Sequence, residues 1–156
     1  MGNPGRASGG GIIQNSHGEW VSGYARAIGY TTSVMAKLCA LQDGIKLCID
    51  LCLPNVLIEL DAKIVVDMLQ KNEGILNSND VILADRKEGL QKIPRVQVQH
   101  CFREANKCAD AFARRGALLS QDFVFYQSPP ADVVLLVSLD AVGTLYERFC
   151  SLVSFS

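Results

Sequence analysis

The hydrophobic period of this sequence changes from strand to helix and back to strand within its first 60 residues. Residues 10–14 and 20–25 read as two short strands around an Asn-to-Gly turn at residues 15–18, which predicts an antiparallel hairpin. From residue 32 to residue 52, apolar side chains recur at three- and four-residue steps, the pattern of an amphipathic helix. The compact apolar run at residues 56–60 then predicts a buried strand.

The second half of the sequence repeats this alternation with shorter elements. We expect helices at residues 64–69 and 81–93, an alternating strand at residues 96–102, and a helix whose apolar stripe runs over residues 105–119. A strand followed by a crossover helix and another strand normally makes a parallel pair. The sequence therefore predicts an α/β fold, with a mixed sheet of an antiparallel hairpin and parallel strands flanked by helices.

The composition indicates how many globular cores the chain can form and which partners and cell compartments to expect. The 156 residues are 49% hydrophobic, enough for one globular core, which we place at residues 2–119 with a C-terminal extension at residues 120–156. Fifteen Lys and Arg against sixteen Asp and Glu exclude nucleic-acid binding through overall positive charge. No export signal or apolar run of membrane-spanning length is present, so we expect an intracellular protein, in either nucleus or cytoplasm, without membrane contact.

The six cysteines of the sequence do not form a metal-binding pattern. They include no CxxC pair and no Cys/His cluster at zinc-finger spacing. Cys48 and Cys52 are four residues apart on the apolar stripe of the first long helix. We expect them to act as small hydrophobes, kept reduced inside the cell.

Two aspartates are candidates for a catalytic or metal-binding role. Asp61 follows the predicted strand at residues 56–60, and Asp110 lies on the polar face of the last predicted helix together with Asn106. Carboxylate oxygens are the ligands that Mg²⁺ prefers, and paired ions suit phosphodiester hydrolysis. Taken alone, an Asp at a strand end is more often a helix cap or a turn former, so both interpretations stay open.

Four sequence pieces in order carry a family resemblance. They are GNPGRASGGGIIQNSHGEWVSGY, the helix that follows Thr31-Thr32-Ser33, IELDA, and HCFREANKCADAFAR. Together they resemble the plant-type ribonuclease H-like domain of retroelement-derived proteins, over residues 2 to 119. Each piece is a weak signal by itself, whereas the four in register are specific.

The resemblance implies a function and a set of site residues. Members of the family are endonucleases that hydrolyse the RNA strand of an RNA–DNA hybrid, with two Mg²⁺ ions held by four carboxylates. Asp61 and Asp110 match the third and fourth acids, and His100 matches a histidine that helps protons or product leave. The positions implied for contact with nucleic acid are Asn3, Thr32, Ser33 and Asn106. A hydrogen-bonded, half-buried role for His100 and a capping role for Thr32 or Ser33 fit the sequence equally well.

The chain also departs from the family pattern. The first acid belongs to an Asp-Gly pair just before GNPG, on the first and central strand, whereas this chain begins Met1-Gly2-Asn3. The second acid matches Lys37, an ammonium where a metal ligand belongs. We therefore expect a sheet without its first central strand, weakened Mg²⁺ binding and impaired hydrolysis. Lys37 could instead form ion pairs with Asp61 and Asp110.

A second interpretation belongs to a different functional class. The chain could be a non-catalytic interaction module or a truncated retroelement-derived product, whose sheet is completed by another chain. An in-frame strand ending in Asp-Gly upstream of Met1 in the genome would identify a truncation. An unrelated metal-independent enzyme finds no support, because the sequence has no GxSxG, P-loop or dinucleotide fingerprint. The oligomeric state stays open.

Overall fold

A computed structural model describes residues 5–71, 80–101, 107–139 and 147–155. Within these ranges the chain alternates strands and helices, as the sequence predicts. The strands are β1 (Gly5–Gln14), β2 (Trp20–Thr31), β3 (Asn55–Leu60), β4 (Arg95–His100), β5 (Phe123–Tyr126) and β6 (Glu147–Phe155). The helices are α1 (Ser33–Asp50), α2 (Lys63–Gln70), α3 (Asp80–Gln91), α4 (Lys107–Ala117) and α5 (Ala131–Leu139).

The β1–β2 hairpin confirms the first predicted motif, and its turn depends on one side chain. The Oδ1 atom of Asn15 accepts hydrogen bonds from the backbone N–H groups of His17 and Glu19, both at 2.9 Å. Gly18 takes a positive φ of 79°, which glycine adopts without steric cost. Both strands are longer than predicted, because pairing continues out to Gly5 opposite Thr31.

Helix α1 begins where the sequence predicts and ends two residues earlier. The side chain of Thr32 caps its N-terminus by accepting from the backbone N–H of Met35 at 3.3 Å. The helix ends at Asp50, and Cys52 lies beyond it with a positive φ of 54°. Cys48 is buried as expected, but the placement of Cys52 on the apolar stripe is wrong, because the chain leaves helical geometry first and exposes that residue.

The six strands form one mixed sheet in the order β4-β3-β6-β1-β2-β5. β1 pairs antiparallel with both β2 and β6, while β3 pairs parallel with both β4 and β6. The parallel pair β3–β4 is joined through α2 and α3, which confirms the predicted crossover. The interior position between β1 and β3 is therefore filled by the last strand of the chain, not by a strand that precedes β1.

Helices cover both faces of the sheet. Ile13 packs with Leu38 and Leu41 of α1 in one core cluster, whereas its neighbour Ile12 packs with Phe112 of α4 in another. Successive residues of a strand point to opposite faces. Helices α1 and α4 therefore lie on opposite sides of β1, and both contact β6.

Glycine lets α4 approach the hairpin at the level of the main chain. A Cβ atom at Gly10 would lie 2.5 Å from the backbone N of Ala113 and the backbone C of Phe112. One at Gly116 would lie 2.5 Å from the carbonyl oxygen of Arg26. Real Cβ atoms do not make such contacts, so the packing of α4 on β1 and β2 requires glycine at both positions.

The segment after residue 119 contributes to the same sheet. β5 pairs with the outer side of β2, α5 contacts α4, and β6 lies inside the sheet. The buried Val133 of α5 belongs to the core cluster on the α4 face. The division into residues 2–119 and 120–156 stays a prediction.

Membrane contact through a helix can be judged for the described part of the chain only. There, none of the helices combines the length and the apolar character needed to cross a bilayer.

Candidate active site

Strand direction gathers most of the predicted site residues at one edge of the sheet. β2, β6, β3 and β4 all run in the same direction, because β1 is antiparallel to both β2 and β6. The C-terminal ends of these four strands therefore share an edge with the N-terminal end of β1. Open α/β sheets bind ligands at the carboxyl ends of their strands. We define this edge as the carboxyl edge.

Asp61 and His100 lie next to each other at the carboxyl edge. His100 is the last residue of β4 and pairs in register with Leu60, the last residue of β3, which Asp61 follows directly. The backbone N–H of Cys101 continues this ladder by donating to the carbonyl of Leu60 at 2.9 Å. Both Asp61 and His100 are half-buried.

The alternative role of Asp61 as a helix cap can be tested against α2. The N-cap residue of α2 is Ala62, whose side chain makes no capping hydrogen bond. Asp61 therefore precedes the N-cap position and does not occupy it. Its role in the site stays a prediction.

Asp110 lies in the first turn of α4 and forms an ion pair on its own helix. Its Oδ2 atom is 2.6 Å from an Nη2 atom of Arg114, one helical turn later. The Asp110 side chain is 21% exposed and that of Arg114 is 76% exposed. This carboxylate is thus paired with an arginine of its own helix.

Thr32, Ser33 and Lys37 occupy the start of α1, directly after β2 reaches the carboxyl edge. The capping role of Thr32 is confirmed by its bond with Met35. A hydroxyl that accepts through its oxygen can still donate its proton to an anion. Lys37 is half-buried and makes a polar or electrostatic contact. Its predicted pairing with Asp61 and Asp110 stays a prediction.

Two predicted contact residues, Asn3 and Asn106, lie outside the described residues.

The strand at the centre of the carboxyl edge brings no carboxylate there. Ser151 of β6 pairs with Leu60, the last residue of β3. The residues of β6 beyond this point are Leu152, Val153, Ser154 and Phe155. The acid of this strand, Glu147, pairs with Val56 at the start of β3, near the opposite edge. β6 thus restores the sheet without restoring the first acid of the family pattern.

The residues present do not fit a two-ion magnesium cage. Among the described residues, no group of three or more His, Cys, Asp or Glu side chains is placed to hold a metal ion. Asp110 is engaged by Arg114, and the position matched to the second acid carries the positive charge of Lys37. A hard divalent cation needs several negative oxygen ligands at once.

Sequence reasoning missed two arginines, Arg86 and Arg26, that bind polar groups of α1. Arg86 of α3 is buried and donates to the carbonyl of Leu38 at 2.8 Å and to Gln42 at 3.1 Å. Arg26 of β2 binds the carboxylate of Asp43 through two hydrogen bonds, of 2.5 and 3.0 Å. No periodic pattern in the sequence predicts such contacts, because each joins residues that are distant in the sequence.

The Arg26–Asp43 pair has altered proton affinities. Burial raises the pKa of the Asp43 carboxyl above its ordinary value, and the hydrogen bond from Arg26 opposes that rise. The same hydrogen bond raises the pKa of Arg26. The pair lies between β2 and α1, so it holds that helix on the hairpin.

Comparison with known proteins identifies the family. A family model described as "Reverse transcriptase-like" matches residues 2–116. The chain belongs to this family. An Arabidopsis thaliana protein assigned by name to the ribonuclease H proteins is 31% identical over 149 residues, which are 94% of this chain. The chain spans only 24% of the length of that relative.

Solved structures place the fold in the same group. RNase H1 from the halophilic archaeon Halobacterium salinarum is similar with a TM-score of 0.63 and 26% identity, covering 75% of this chain and 89% of that protein. The N-terminal RNase H domain of a Mycobacterium tuberculosis protein, solved as a fusion with maltose-binding protein, gives a TM-score of 0.67 at 21% identity. That match covers 74% of this chain and 85% of the other, and it supports the fold. The chain therefore contains a ribonuclease H-like domain.

Proposed function

We propose that this domain binds RNA–DNA hybrids along its carboxyl edge and hydrolyses them poorly or not at all. The observation that carries the proposal is the convergence of Asp61, His100 and the start of α1 at that edge, on a ribonuclease H-like fold. Helix-start N–H groups and hydroxyls bind phosphate, and short polar side chains reach sugar hydroxyls across the shallow minor groove. The edge thus offers the groups that a hybrid requires.

The weak hydrolysis follows from charge. Of the four acids that the resemblance implies, the chain retains Asp61, at the carboxyl edge, and Asp110, on α4, while Lys37 takes the place of the second and the C-terminal half of β6 lacks the first. A positive charge within a few ångströms of a divalent cation costs on the order of a few kcal/mol. Asp61, Asp110 and Lys37 then serve as a mixed-charge surface that positions a backbone, without a step through a metal ion.

Hybrid binding can be measured by fluorescence anisotropy with a labelled RNA–DNA duplex in EDTA, at several salt concentrations. We expect binding that weakens steeply with salt and has little dependence on sequence, because phosphate contacts dominate. Thr32→Val should weaken binding several-fold, whereas the matched Thr32→Ser keeps the hydroxyl and should bind normally. Equal binding by both variants would remove Thr32 from the interface. Absence of any salt-dependent binding by the wild-type chain would reject the proposal.

Cleavage is tested on the same duplex with Mg²⁺. We expect little or no turnover by the wild-type chain and no improvement of hybrid affinity by the ion. Lys37→Glu should increase Mg²⁺ affinity, measured by calorimetry without nucleic acid, since it replaces a repelling charge with a ligand. Wild-type cleavage that disappears in Asp61→Asn would show that the domain is an active nuclease.

The structure corrects one expectation of the interaction-module interpretation. That interpretation expects another chain to complete the sheet, whereas the chain's own β6 does so, with a strand from the far end of the sequence. A domain that binds no hybrid in the anisotropy measurement would leave this second function as the better one.

A further inference from the structure

A β-bulge lies in β2 just before this strand reaches the carboxyl edge. The pairing of β1 with β2 shifts between Ala7 and Ser8, so that β2 has one extra residue there, Ile28. Gly29 follows with a positive φ of 92°, which glycine adopts without steric cost. A bulge interrupts the alternation of side chains along a strand and can re-aim the side chain that follows it. The side chain that this bulge re-aims is Tyr30.

The bulge turns Tyr30 away from α1. Before the bulge, alternate side chains of β2 point to that helix, where Arg26 forms hydrogen bonds and Ile28 packs with two alanines. Unbroken alternation would point Tyr30 in the same direction. Instead, Tyr30 pairs with Arg6, which precedes Ala7, and Ala7 packs on the α1 face. Arg6 and Tyr30 therefore both point to the opposite face of the sheet, on which α4 lies.

Tyr30 and Arg6 form an exposed aromatic and cationic pair at the carboxyl edge. The Tyr30 side chain is 75% exposed, the largest exposure of any aromatic side chain in the described part of the chain. Arg6 is exposed as well. Directly opposed residues of antiparallel strands have Cβ atoms about 5 Å apart, so the guanidinium group lies within reach of a ligand on the tyrosine ring.

A cavity beside Arg6 keeps this part of the face accessible. It has a volume of about 290 Å³, near the lower limit for small-ligand pockets, and it lies between the end of the hairpin and the C-terminal end of α4, at Gly116 and Ala117. A Cβ atom added at Gly29 would meet no atom of the described residues within 4 Å. A planar group can therefore approach Tyr30 and Arg6 without displacing α4.

The chemistry of this surface favours an unpaired nucleotide. The charged side chains that line the cavity are Arg6 and Asp122, and the other lining residues are small or apolar apart from Ser8. A phosphate is attracted to Arg6 and repelled by Asp122, whereas a neutral base can stack on Tyr30. Inside a duplex both faces of a base are already stacked on neighbouring bases. Aromatic side chains therefore stack on unpaired bases.

We propose that Tyr30 and Arg6 bind an unpaired nucleotide of a single-stranded segment that extends from a hybrid at the carboxyl edge. The base stacks on the ring of Tyr30, and Arg6 binds the adjacent phosphate. The site rests on the proposed function, since a hybrid at the same edge brings the segment to it. The preferred ligand is then a hybrid with a single-stranded extension, and not a blunt duplex.

Fluorescence anisotropy with the full chain in EDTA measures this preference. One probe is a blunt RNA–DNA hybrid, and the other is the same hybrid with its DNA strand extended by a short unpaired segment at each end. For each protein, the gain is the ratio of the Kd for the blunt hybrid to the Kd for the extended hybrid. We expect a wild-type gain of about five- to tenfold, the lower part of the range for one stacked base.

Substitutions test whether the gain comes from Tyr30. Tyr30→Ala should reduce the gain to near one, whereas Tyr30→Phe keeps the ring and should keep the gain. Arg6→Gln should reduce the gain in part and make it less sensitive to salt. The matched control is Phe125→Ala, which removes an aromatic side chain of β5 that is 45% exposed, and it should keep the full gain. Circular dichroism verifies that each variant is folded.

An extended hybrid with abasic unpaired segments separates bases from phosphates, and it should lose most of the gain. If the wild-type chain binds it as tightly as the normal extended hybrid, the contact is with phosphates alone and the stacking site is rejected. A gain that persists in Tyr30→Ala, or disappears in Tyr30→Phe, rejects it too.

The extension by itself, as a labelled single strand, distinguishes this site from the proposed function. If the wild-type chain binds the blunt hybrid without any gain from the extension, the stacking site is rejected and the proposed function stands. If it binds no hybrid but binds the single strand in a way that Tyr30→Ala abolishes, the stacking site stands without the proposed function. If it binds neither, both are rejected.

Discussion

The two parts of the sheet on either side of β6 are built differently. The hairpin part, β1 with β2 and β5, is antiparallel. Gly10 and Gly116 let the main chain of α4 lie in contact with the main chain of this part. The crossover part, β3 with β4, is parallel, and its buried Val56 and Ile58 pack by side chains in the cluster that includes α1. Each part holds one retained acid, Asp61 after β3 and Asp110 on the helix that packs against the hairpin.

This difference shows where the candidate site is vulnerable. Within the hairpin part, β1 and β2 are adjacent in sequence, whereas β3 and β4 need α2 and α3 between them. Neither part by itself holds both Asp61 and Asp110. The hydrogen-bonded pairing across the sheet passes through β6. The geometry of the site therefore depends on a strand that is far along the chain from both of the strands it pairs with, β1 and β3.

The largest effect should come from breaking the connection between the two parts. Val153→Pro in β6 removes a backbone N–H from the interior of the sheet, and we expect a loss of about 3 kcal/mol or more in the free energy of unfolding. Glu147→Pro is the matched control, because proline is tolerated at the first residue of a strand. Urea unfolding monitored by circular dichroism measures both. Equal losses would mean that β6 does not hold the sheet together.

A glycine-to-alanine substitution on each side should distinguish packing against a main chain, which cannot move aside, from packing against a side chain, which can. Gly10→Ala places a Cβ atom against the backbone of α4 and should destabilise the domain by about 2–3 kcal/mol. Gly89→Ala in α3 brings its Cβ 3.0 Å from the Cγ2 atom of Ile45, a side chain that can move, and helix propensity favours alanine by up to about 1 kcal/mol. We expect little net change there. The comparison fails if Gly89→Ala proves as harmful as Gly10→Ala in urea unfolding.

The Arg26–Asp43 pair should give a pH-dependent effect confined to the hairpin part. Arg26→Met removes the cation that opposes the burial-driven rise in the pKa of Asp43, so that pKa rises further. A carboxyl with a raised folded pKa loses stability as pH rises through that value. The variant should therefore match the wild type most closely below about pH 4, where the carboxyl is protonated in both folded and unfolded chains.

At neutral pH the deficit of Arg26→Met should reach about 1–2 kcal/mol, below the roughly 3–5 kcal/mol lost when one partner of a fully buried pair is removed. The Arg26 side chain keeps 31% exposure, which reduces the cost. Urea unfolding between acid and neutral pH measures the deficit, with Arg26→Met/Asp43→Asn as the control that should show no such pH dependence. A deficit that does not change with pH would contradict the assignment to Asp43.

The smallest effect should come from Asp110. Asp110→Asn removes its ion pair with Arg114, which is largely exposed, and should change stability by about 0.5 kcal/mol or less. Arg114→Gln should give a similar value. Hybrid affinity should respond more than stability if Asp110 belongs to the binding edge. A stability loss well above 2 kcal/mol would instead give Asp110 a structural role.

The lone tryptophan of the chain offers a local probe for these comparisons. Trp20 lies in the hairpin part, its ring centroid 5.7 Å from that of Phe112 on α4, and its indole N–H donates to the carbonyl of Gln127 at 2.9 Å. Tryptophan fluorescence therefore reports on the hairpin part, while circular dichroism reports on all elements.

The sequence by itself determined the order and type of the elements up to α4 and the identity of the candidate site residues. Local patterns sufficed there, because an Asn-to-Gly turn, a helical stripe starting at Thr32 and an apolar run ending at Asp61 are short-range features. Family resemblance, and not periodicity, assigned roles to Asp61, His100 and Asp110. Those roles stay predictions, with Asp61 and His100 now adjacent in the sheet.

Only the tertiary structure decided which strand closes the sheet and which cation faces Asp110. Residues 120–156 resembled an extension in sequence, yet their last strand pairs with β1 and β3, more than 80 residues away along the chain. The partner of a central strand is set by which unpaired backbone edges remain after the local elements have folded. A buried backbone edge must be paired regardless of the side chains nearby, so no side-chain pattern in the sequence encodes that choice.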